Sequence, residues 1–262
     1  MKIIDAHAHI YPDKIAEKAT RAIGDFYGLN MELTGTPERL AEEGKAAGIS
    51  RFVVHSCATK AHQVRSINEF IKEETALHPE FIGYMTLHQD MTENEMAEEV
   101  EWCIKNGFHG VKLHPDFQRF YIDGEDAQKI YRAVGDKLPI LLHTGDDRYE
   151  YSRPQRLAAM AKKFKNVRFI GAHFGGYRCW DSAEVYKGLE NVYFDTCSSL
   201  AFIGPDYAKR LIDMLGAEKF FFGTDFPMWE AEKEIERFMQ IPLTEREREM
   251  IFAENLERFL HL

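Results

Sequence analysis

The stretch Ile3-Ile4-Asp5-Ala6-His7-Ala8-His9 opens this 262-residue chain. Its apolar pair reads as the start of a short buried strand. Strand alternation then puts His7 and His9 on one face. Two imidazoles together at a strand end are placed to grip a transition metal. The pair alone does not separate a metal site from two solvated or core-satisfied histidines. The remainder of the chain makes that separation.

Short apolar runs recur after the first, with amphipathic stretches between them. The strand candidates are Lys2–His7, Arg51–Ser56, Phe81–Leu87, Gly110–His114, Pro139–His143, Arg168–Ala172, Val192–Asp195 and Phe220–Gly223, eight in all. Helical spacing of Val64, Ile67, Phe70 and Ile71 predicts a helix over Ala61–Leu77. Met96, Val100 and Ile104 predict another over Glu93–Asn106, with Gly107 ending it. Glu125–Gly135, Pro154–Phe164, Ser182–Leu189 and Pro205–Leu215 share the pattern, and Pro154 and Pro205 suit first helical turns. Strands alternating with helices imply a parallel sheet with right-handed crossovers.

Eight such units in an α/β chain of this length point to a closed (β/α)8 TIM barrel; an open doubly wound sheet is the alternative. Residues 1–262 read as a single domain, because no linker, low-complexity segment or charge block divides them. Residues 11–48 exceed a usual connection and are expected to form a helix plus a lid-like loop over the barrel mouth. Residues 231–262 read as two closing helices, with Thr244 and Glu247 in capping-box spacing.

Among eleven histidines, His7, His9, His55, His88, His114, His143 and His173 fall at or just past the C-terminal end of an expected strand. In a barrel those ends converge on the rim that carries active sites. Four segments share one form: an apolar run, a chemically active residue, then a Gly or Pro turn. They are Val111-Lys112-Leu113-His114-Pro115, Ile140-Leu141-Leu142-His143-Thr144-Gly145, Phe169-Ile170-Gly171-Ala172-His173-Phe174-Gly175-Gly176 and Phe221-Phe222-Gly223-Thr224-Asp225-Phe226-Pro227. A ligand-type side chain on a rigid strand end, beside a turn, is how a metal site keeps an open position.

The hydrophobic share of 45% is enough for one sizeable core, and the net charge of −10 disfavours a nucleic-acid surface. A small anionic substrate held by local arginines is compatible with it. Cys57, Cys103, Cys179 and Cys197 are widely spaced, so neither a disulfide framework nor a thiolate zinc cluster is expected. No secretory core and no run of membrane-spanning length is present, and the cytoplasm is the expected location. Barrels with many exposed aromatics often dimerise, which makes a homodimer an open expectation.

These motifs resemble the amidohydrolase superfamily of metal-dependent barrels. The branch most alike holds predicted hydrolases and zinc-dependent decarboxylases of the aminocarboxymuconate semialdehyde decarboxylase type. The likeness is carried by Asp5-Ala6-His7-Ala8-His9, Gly110-Val111-Lys112-Leu113-His114-Pro115, His143, His173 and Gly223-Thr224-Asp225-Phe226-Pro227, and it spans nearly the whole chain. It implies that His7, His9, His143 and Asp225 bind one metal, Zn²⁺ first, and that His173 is catalytic. Three imidazoles and a carboxylate also suit Mn²⁺ or Fe²⁺ better than Ca²⁺ or Mg²⁺. Lys112 matches the lysine that binuclear members carboxylate to bridge two metals. Its alternative is a lysine that pairs with an Asp or binds an anionic substrate. His114 shares its face and is expected to line the pocket. Arg148, Arg178, Tyr149 and Tyr177 lie in turns after His143 and His173 and are candidate substrate-carboxylate contacts. Asp195 is expected to hydrogen-bond a neighbouring ligand.

Hydrolysis of a small ester, lactone or amide by metal-activated water comes first among the activities. Asp225 would move the proton and His173 would steady the oxyanion. The alternative is zinc-dependent nonoxidative decarboxylation of a small unsaturated or aromatic carboxylic acid at the same site. The chain is short for the long insertions of many decarboxylases, which orders the two. A TatD-like deoxyribonuclease also begins with His-x-His, but its Gly-Glu-x-Gly stretch is missing where this chain has Lys112. A metal-free scaffold on a decayed barrel would not be expected to keep a full donor set.

Overall fold

The computed structural model describes residues 1–262. Its strands are β1 (Ile4–His9), β2 (Arg51–His55), β3 (Phe81–Thr86), β4 (Gly110–Leu113), β5 (Ile140–Leu142), β6 (Phe169–Gly171), β7 (Val192–Asp195) and β8 (Phe220–Phe221). They pair in chain order, every pair parallel. Across the seam the Ala6 N–H donates to the Phe222 carbonyl at 2.8 Å and the Asp225 N–H to the His7 carbonyl at 2.8 Å. The His9 N–H donates to the Phe226 carbonyl at 2.7 Å, so strand ends from both termini of the chain meet. This is the (β/α)8 barrel. Several strands stop short of the expected runs: β5 ends at Leu142 and β8 at Phe221, because the chain leaves the ladder there to turn its functional residues into the mouth.

Between β1 and β2 lie α1 (Asp13–Tyr27) and α2 (Pro37–Ala47), so residues 11–48 hold two helices rather than one. Next come α3 (Val64–Leu77), α4 (Glu93–Lys105), the short α5 (Pro115–Gln118), α6 (Glu125–Val134), α7 (Pro154–Lys163) and α8 (Pro205–Leu215). The expected α-helix over Ser182–Leu189 is instead a 3₁₀ stretch, Trp180–Tyr186. Its two ends are tethered to the turn after β6: the Trp180 indole N–H donates to the His173 carbonyl and the Tyr186 hydroxyl to the Gly175 carbonyl. The C-terminal part is α9 (Ala231–Met239), α10 (Glu245–Glu249) and α11 (Asn255–Leu260), the last two joined by a π turn. Thr244 caps α10 in a capping box: the Glu247 N–H donates to its hydroxyl at 3.2 Å, and the Thr244 N–H donates to the Glu247 carboxylate at 2.7 Å. No helix is long and apolar enough to cross a membrane.

The barrel interior is layered. Its lower half is apolar, built from Ile4, Ala6, Val53, Ile82, Tyr84, Leu141, Ile170 and Phe221, and α11 plugs it with Leu256, Phe259 and Leu260. One layer nearer the mouth, the inward positions carry His55, Lys112, His143 and Asp195, all buried. His114, also buried, lies two residues beyond Lys112. β1 reaches this layer by a device the sequence does not advertise. Its register with β2 shifts between Asp5 and Ala8, a bulge-like irregularity. Ile4 and Ala6 face the apolar interior, whereas Ala8 and Ile10 join the outer core against the helices. The shift inverts the parity of the strand and turns His7 and His9 inward.

Candidate metal centre

His7, His9, Asp225 and Lys112 converge at the barrel mouth. His7 Nε2 lies 3.3 Å from His9 Nε2 and 3.4 Å from Asp225 Oδ1. His9 Nε2 is also 3.4 Å from Asp225 Oδ1. Donor atoms placed tetrahedrally about a transition metal at roughly 2.1 Å stand roughly 3.4 Å apart. The three donors therefore have the spacing that one metal ion needs. Lys112 Nζ is 2.6 Å from His7 Nε2, on the same side of the cluster.

Each of these groups is fixed from behind. The carboxylate of Asp195 accepts from His7 Nδ1 at 2.8 Å, which puts the ring proton on Nδ1 and leaves the Nε2 lone pair facing the cluster. The other Asp195 oxygen accepts the His173 N–H at 2.8 Å. Asp5 accepts from the backbone N–H groups of His7 and Thr224, each at 3.0 Å, and from the Thr224 hydroxyl at 2.6 Å, tying β1 to the loop after β8. Ser198 donates its hydroxyl to Asp225 Oδ2. Seven of the eight non-glycine residues with positive φ are Arg119, Asp146, His173, Phe174, Arg178, Ser198 and Asp225. All lie in loops at this end of the barrel, where strain is held in place by the surrounding bonds.

The electrostatics favour a bound cation. Burial pushes the His9 imidazole down to about 4, against the pull of Asp225. Burial and the adjacent His143 push His173 down to about 3. His55 and His114 are likewise held well below the ordinary imidazole range by burial and neighbouring histidines. These rings stay neutral, the form in which an imidazole can ligate a metal. Burial alone would raise the Asp225 carboxyl, but His7, His9 and His173 hold it well below the usual carboxylate range. Both ring nitrogens of His55 and Nε2 of His143 are buried without a protein hydrogen-bond partner. Such orphaned nitrogens in a neutral, anion-containing cluster fit a site that takes one more polar or charged group.

The remaining expected residues fall into two sets. His143 does not join the His7–His9–Asp225 cluster directly. Its Nδ1 shares a 2.9 Å hydrogen bond with His173 Nε2, and its Nε2 lies 3.3 Å from Asp116 Oδ2. His143 and His173 still line the same cavity, of about 20 Å³, with Lys112 and His114. His114 is stacked between Phe117 and His143, at 3.7 and 4.0 Å between ring centroids.

The aromatic and arginine candidates lie outside that cavity. Arg148 is held in a two-bond clamp with Asp146, donates to the Phe26 carbonyl at 2.6 Å and packs over Phe26 and Tyr149. These contacts tie the loop after β5 to α1. Arg178 is exposed, over the Phe202 ring at 4.0 Å. Tyr177 packs behind His143 and His173, at 6.4 and 5.9 Å between centroids.

Four contributors carry little local sequence signal. Tyr27, at the end of α1, hydrogen-bonds His114 Nε2 through its hydroxyl at 3.1 Å. Ile23 and Met31 close the cavity beside it. Asp116 accepts from the Ser152 hydroxyl at 2.9 Å and faces His143. Only the spacing of Ile23 and Tyr27, one helical turn apart, hints that α1 presents a side to the mouth.

Residues 4–262 match the family model described as amidohydrolase. No curated protein matches the chain at a significant level. Among solved structures, an uncharacterized TIM-barrel protein from Bordetella bronchiseptica has a TM-score of 0.80 at 19% identity, covering 100% of this chain and 99% of that one. The 5-carboxyvanillate decarboxylase of Sphingomonas paucimobilis has a TM-score of 0.75 at 14% identity, covering 100% and 99%. A dihydroxybenzoic acid decarboxylase from a Polaromonas species, solved with bound manganese and the inhibitor 2-nitroresorcinol, has a TM-score of 0.74 at 17% identity, covering 100% and 97%. At these identities the likeness establishes a shared barrel, and with the family match across the whole sequence, this chain belongs to the amidohydrolase family.

Proposed function

We propose that this protein is a metal-dependent nonoxidative decarboxylase of a small aromatic or unsaturated carboxylic acid. His7, His9 and Asp225 hold one divalent ion, with His143, which lines the same cavity, turning in as the fourth donor; Zn²⁺ comes first, with Mn²⁺ and Fe²⁺ also suited to nitrogen and oxygen donors. The observation that supports a metal enzyme is the spacing of His7 Nε2, His9 Nε2 and Asp225 Oδ1, 3.3–3.4 Å apart. Decarboxylation moves ahead of hydrolysis because decarboxylases align over 97–100% of their own length with this chain. The length of the chain is then no ground for preferring hydrolysis.

When bound, the metal supplies positive charge that holds the substrate's oxygens and offsets charge developing as the bond breaks. The residues do the rest. Lys112 and His114 receive the anionic end of the substrate. Tyr27, Ile23 and Met31 exclude water, which weakens the solvation that stabilises a carboxylate in its ground state. His173 and Asp225 carry the proton. His173 Nε2 and the Asp225 carboxylate lie at the cavity where a proton must be delivered to the substrate carbon. The proton adds to the carbon that bears the carboxylate. The bond between that carbon and the carboxyl then breaks, its electron pair returns to the ring, and carbon dioxide leaves.

Hydrolysis stands as a second reading on one observation. Lys112 Nζ sits 2.6 Å from His7 Nε2 while His143 and His173 form a second nitrogen pair at 2.9 Å. A carboxylated Lys112 between two such sets would serve two metals and an attacking water. The test is proton NMR in D₂O with the metal-loaded protein, 2,6-dihydroxybenzoate and 5-carboxyvanillate, alongside ester and lactone panels. The proposal expects carbon dioxide release with one deuterium at the vacated ring carbon. Turnover of esters or lactones, with no carbon dioxide from any acid, would replace it with hydrolysis.

A further inference from the structure

Helix α1 has two sides with different packing. Ala16, Thr20 and Gly24 are buried, Thr20 and Gly24 against the segment after the helix. Small residues there let the helix lie close: a Cβ on Gly24 would stand 2.7 Å from the Leu29 carbonyl oxygen. The larger apolar residues of α1, Ile15, Ile23 and Phe26, are not in the core. They line one wall of a second cleft of about 790 Å³, with Ile67 and Phe70 of α3 on the other wall. Ile15 is 44% exposed.

Ile23 and Phe26 are half-buried, so the cleft has a mostly apolar wall with Ile15 open to water, the kind of lining an apolar ligand body covers. The cleft adjoins the metal cavity. His9, Ile23 and Phe117 line both. The two spaces differ greatly in size. The inner one, about 20 Å³, admits little more than the reacting atoms. The outer one falls in the range of roughly 300–1,000 Å³ that holds drug-sized ligands. Lys14 and Arg119, both exposed, stand at its rim.

We propose that the substrate is an amphipathic acid. Its carboxylate-bearing end enters the metal cavity past Ile23 and Phe117, and an extended apolar body covers the α1–α3 cleft. A compact single-ring acid would leave that wall bare. The assignment of the reacting end rests on the decarboxylase reading; the assignment of the body rests on the cleft alone.

The test is calorimetric binding of 2-hydroxybenzoate and its 4-butyl and 4-octyl derivatives to the metal-loaded protein. Each methylene buried in the cleft is expected to tighten binding roughly fourfold, so the butyl compound gains at least tenfold. Ala19→Trp, which fills the cleft from α1, is expected to abolish that gain and leave the affinity for 2-hydroxybenzoate unchanged. Affinity that does not change along the series in the unaltered protein overturns the proposal. A cleft closed by a second copy of the chain gives that same flat series. A gain that survives Ala19→Trp also overturns it. Carbon dioxide release, measured in parallel, separates the two readings. Tight binding of tailed acids without release sinks the decarboxylase and keeps the cleft; release with a flat series does the reverse.

Discussion

Nδ1 of His7 lies 2.8 Å from Oδ2 of Asp195, and both side chains are fully buried. One aspartate at the end of β7 thereby orients a candidate ligand on β1, and through its other oxygen it also holds the backbone of His173. Burial alone would raise this carboxyl, yet His7 and its hydrogen bond pull it down to about 2. It stays an acceptor across the working pH range.

Asp195→Asn presents an amide that no longer accepts as strongly and can donate to the wrong ring nitrogen. Metal affinity is expected to fall roughly 10- to 100-fold. Competition with a chromophoric chelator measures it. Unchanged affinity would mean that His7 needs no orienting partner.

Tyr27→Phe removes the hydroxyl that meets His114 at 3.1 Å and leaves the apolar cover in place. Loss of one such bond is expected to lower kcat by roughly tenfold with no change in metal content. Metal content and kcat measured on one preparation separate this from a general loss of structure.

Gly24→Ala addresses the lid itself. The added Cβ would lie 2.8 Å from Met31 Cγ as well as against the Leu29 carbonyl, so α1 must shift. Overpacking of this kind costs roughly 1–3 kcal/mol, visible as a lower Tm. Because Ile23, Tyr27 and Met31 move with it, KM is expected to rise while the metal stays bound.

Glu234 on α9 gives a pH dependence away from the site. Burial raises its carboxyl to about 7, opposed by Arg237. Such a group binds more protons in the folded state than in the unfolded one. Its contribution is fully present below about 4.5 and is lost as pH rises to about 7. Glu234→Gln is expected to remove that slope and stabilise the protein at pH 8 by roughly 2–3 kcal/mol. Denaturant unfolding at about pH 4.5 and about pH 8 reads it; parallel curves for both proteins would contradict the assignment.

The barrel is legible in the sequence because each strand announces itself as a short apolar run ending in a polar, turn-bearing motif. Pro205–Leu215 matches its expected bounds to the residue, since its proline start and apolar spacing are local signals. His7 and His9 are legible as a pair, but the direction they face depends on the register shift after Asp5, which depends on β2. Arg148, an expected substrate contact, forms a clamp with Asp146 and a bond to Phe26. Those partners lie on a loop and a helix whose placement no local pattern encodes. Tyr27 and Asp116 escape a sequence reading for the same reason: each becomes significant only when a loop or lid is laid across the mouth. His143 sits with His173 rather than in the closest donor cluster, a distinction of a few ångströms that motif spacing cannot carry.

On this reading His7 and Asp225, from opposite ends of the chain, close one metal site across the barrel seam. The direct measurement is metal content by plasma mass spectrometry after purification without chelator. About one equivalent of a transition metal per chain is expected, with almost none in His7→Ala or Asp225→Ala. Stripping the metal should lower Tm, because a ligand present at about a thousand times its Kd adds roughly 4 kcal/mol. Metal-free protein with full activity, or full metal content in both variants, would contradict a shared site at the seam.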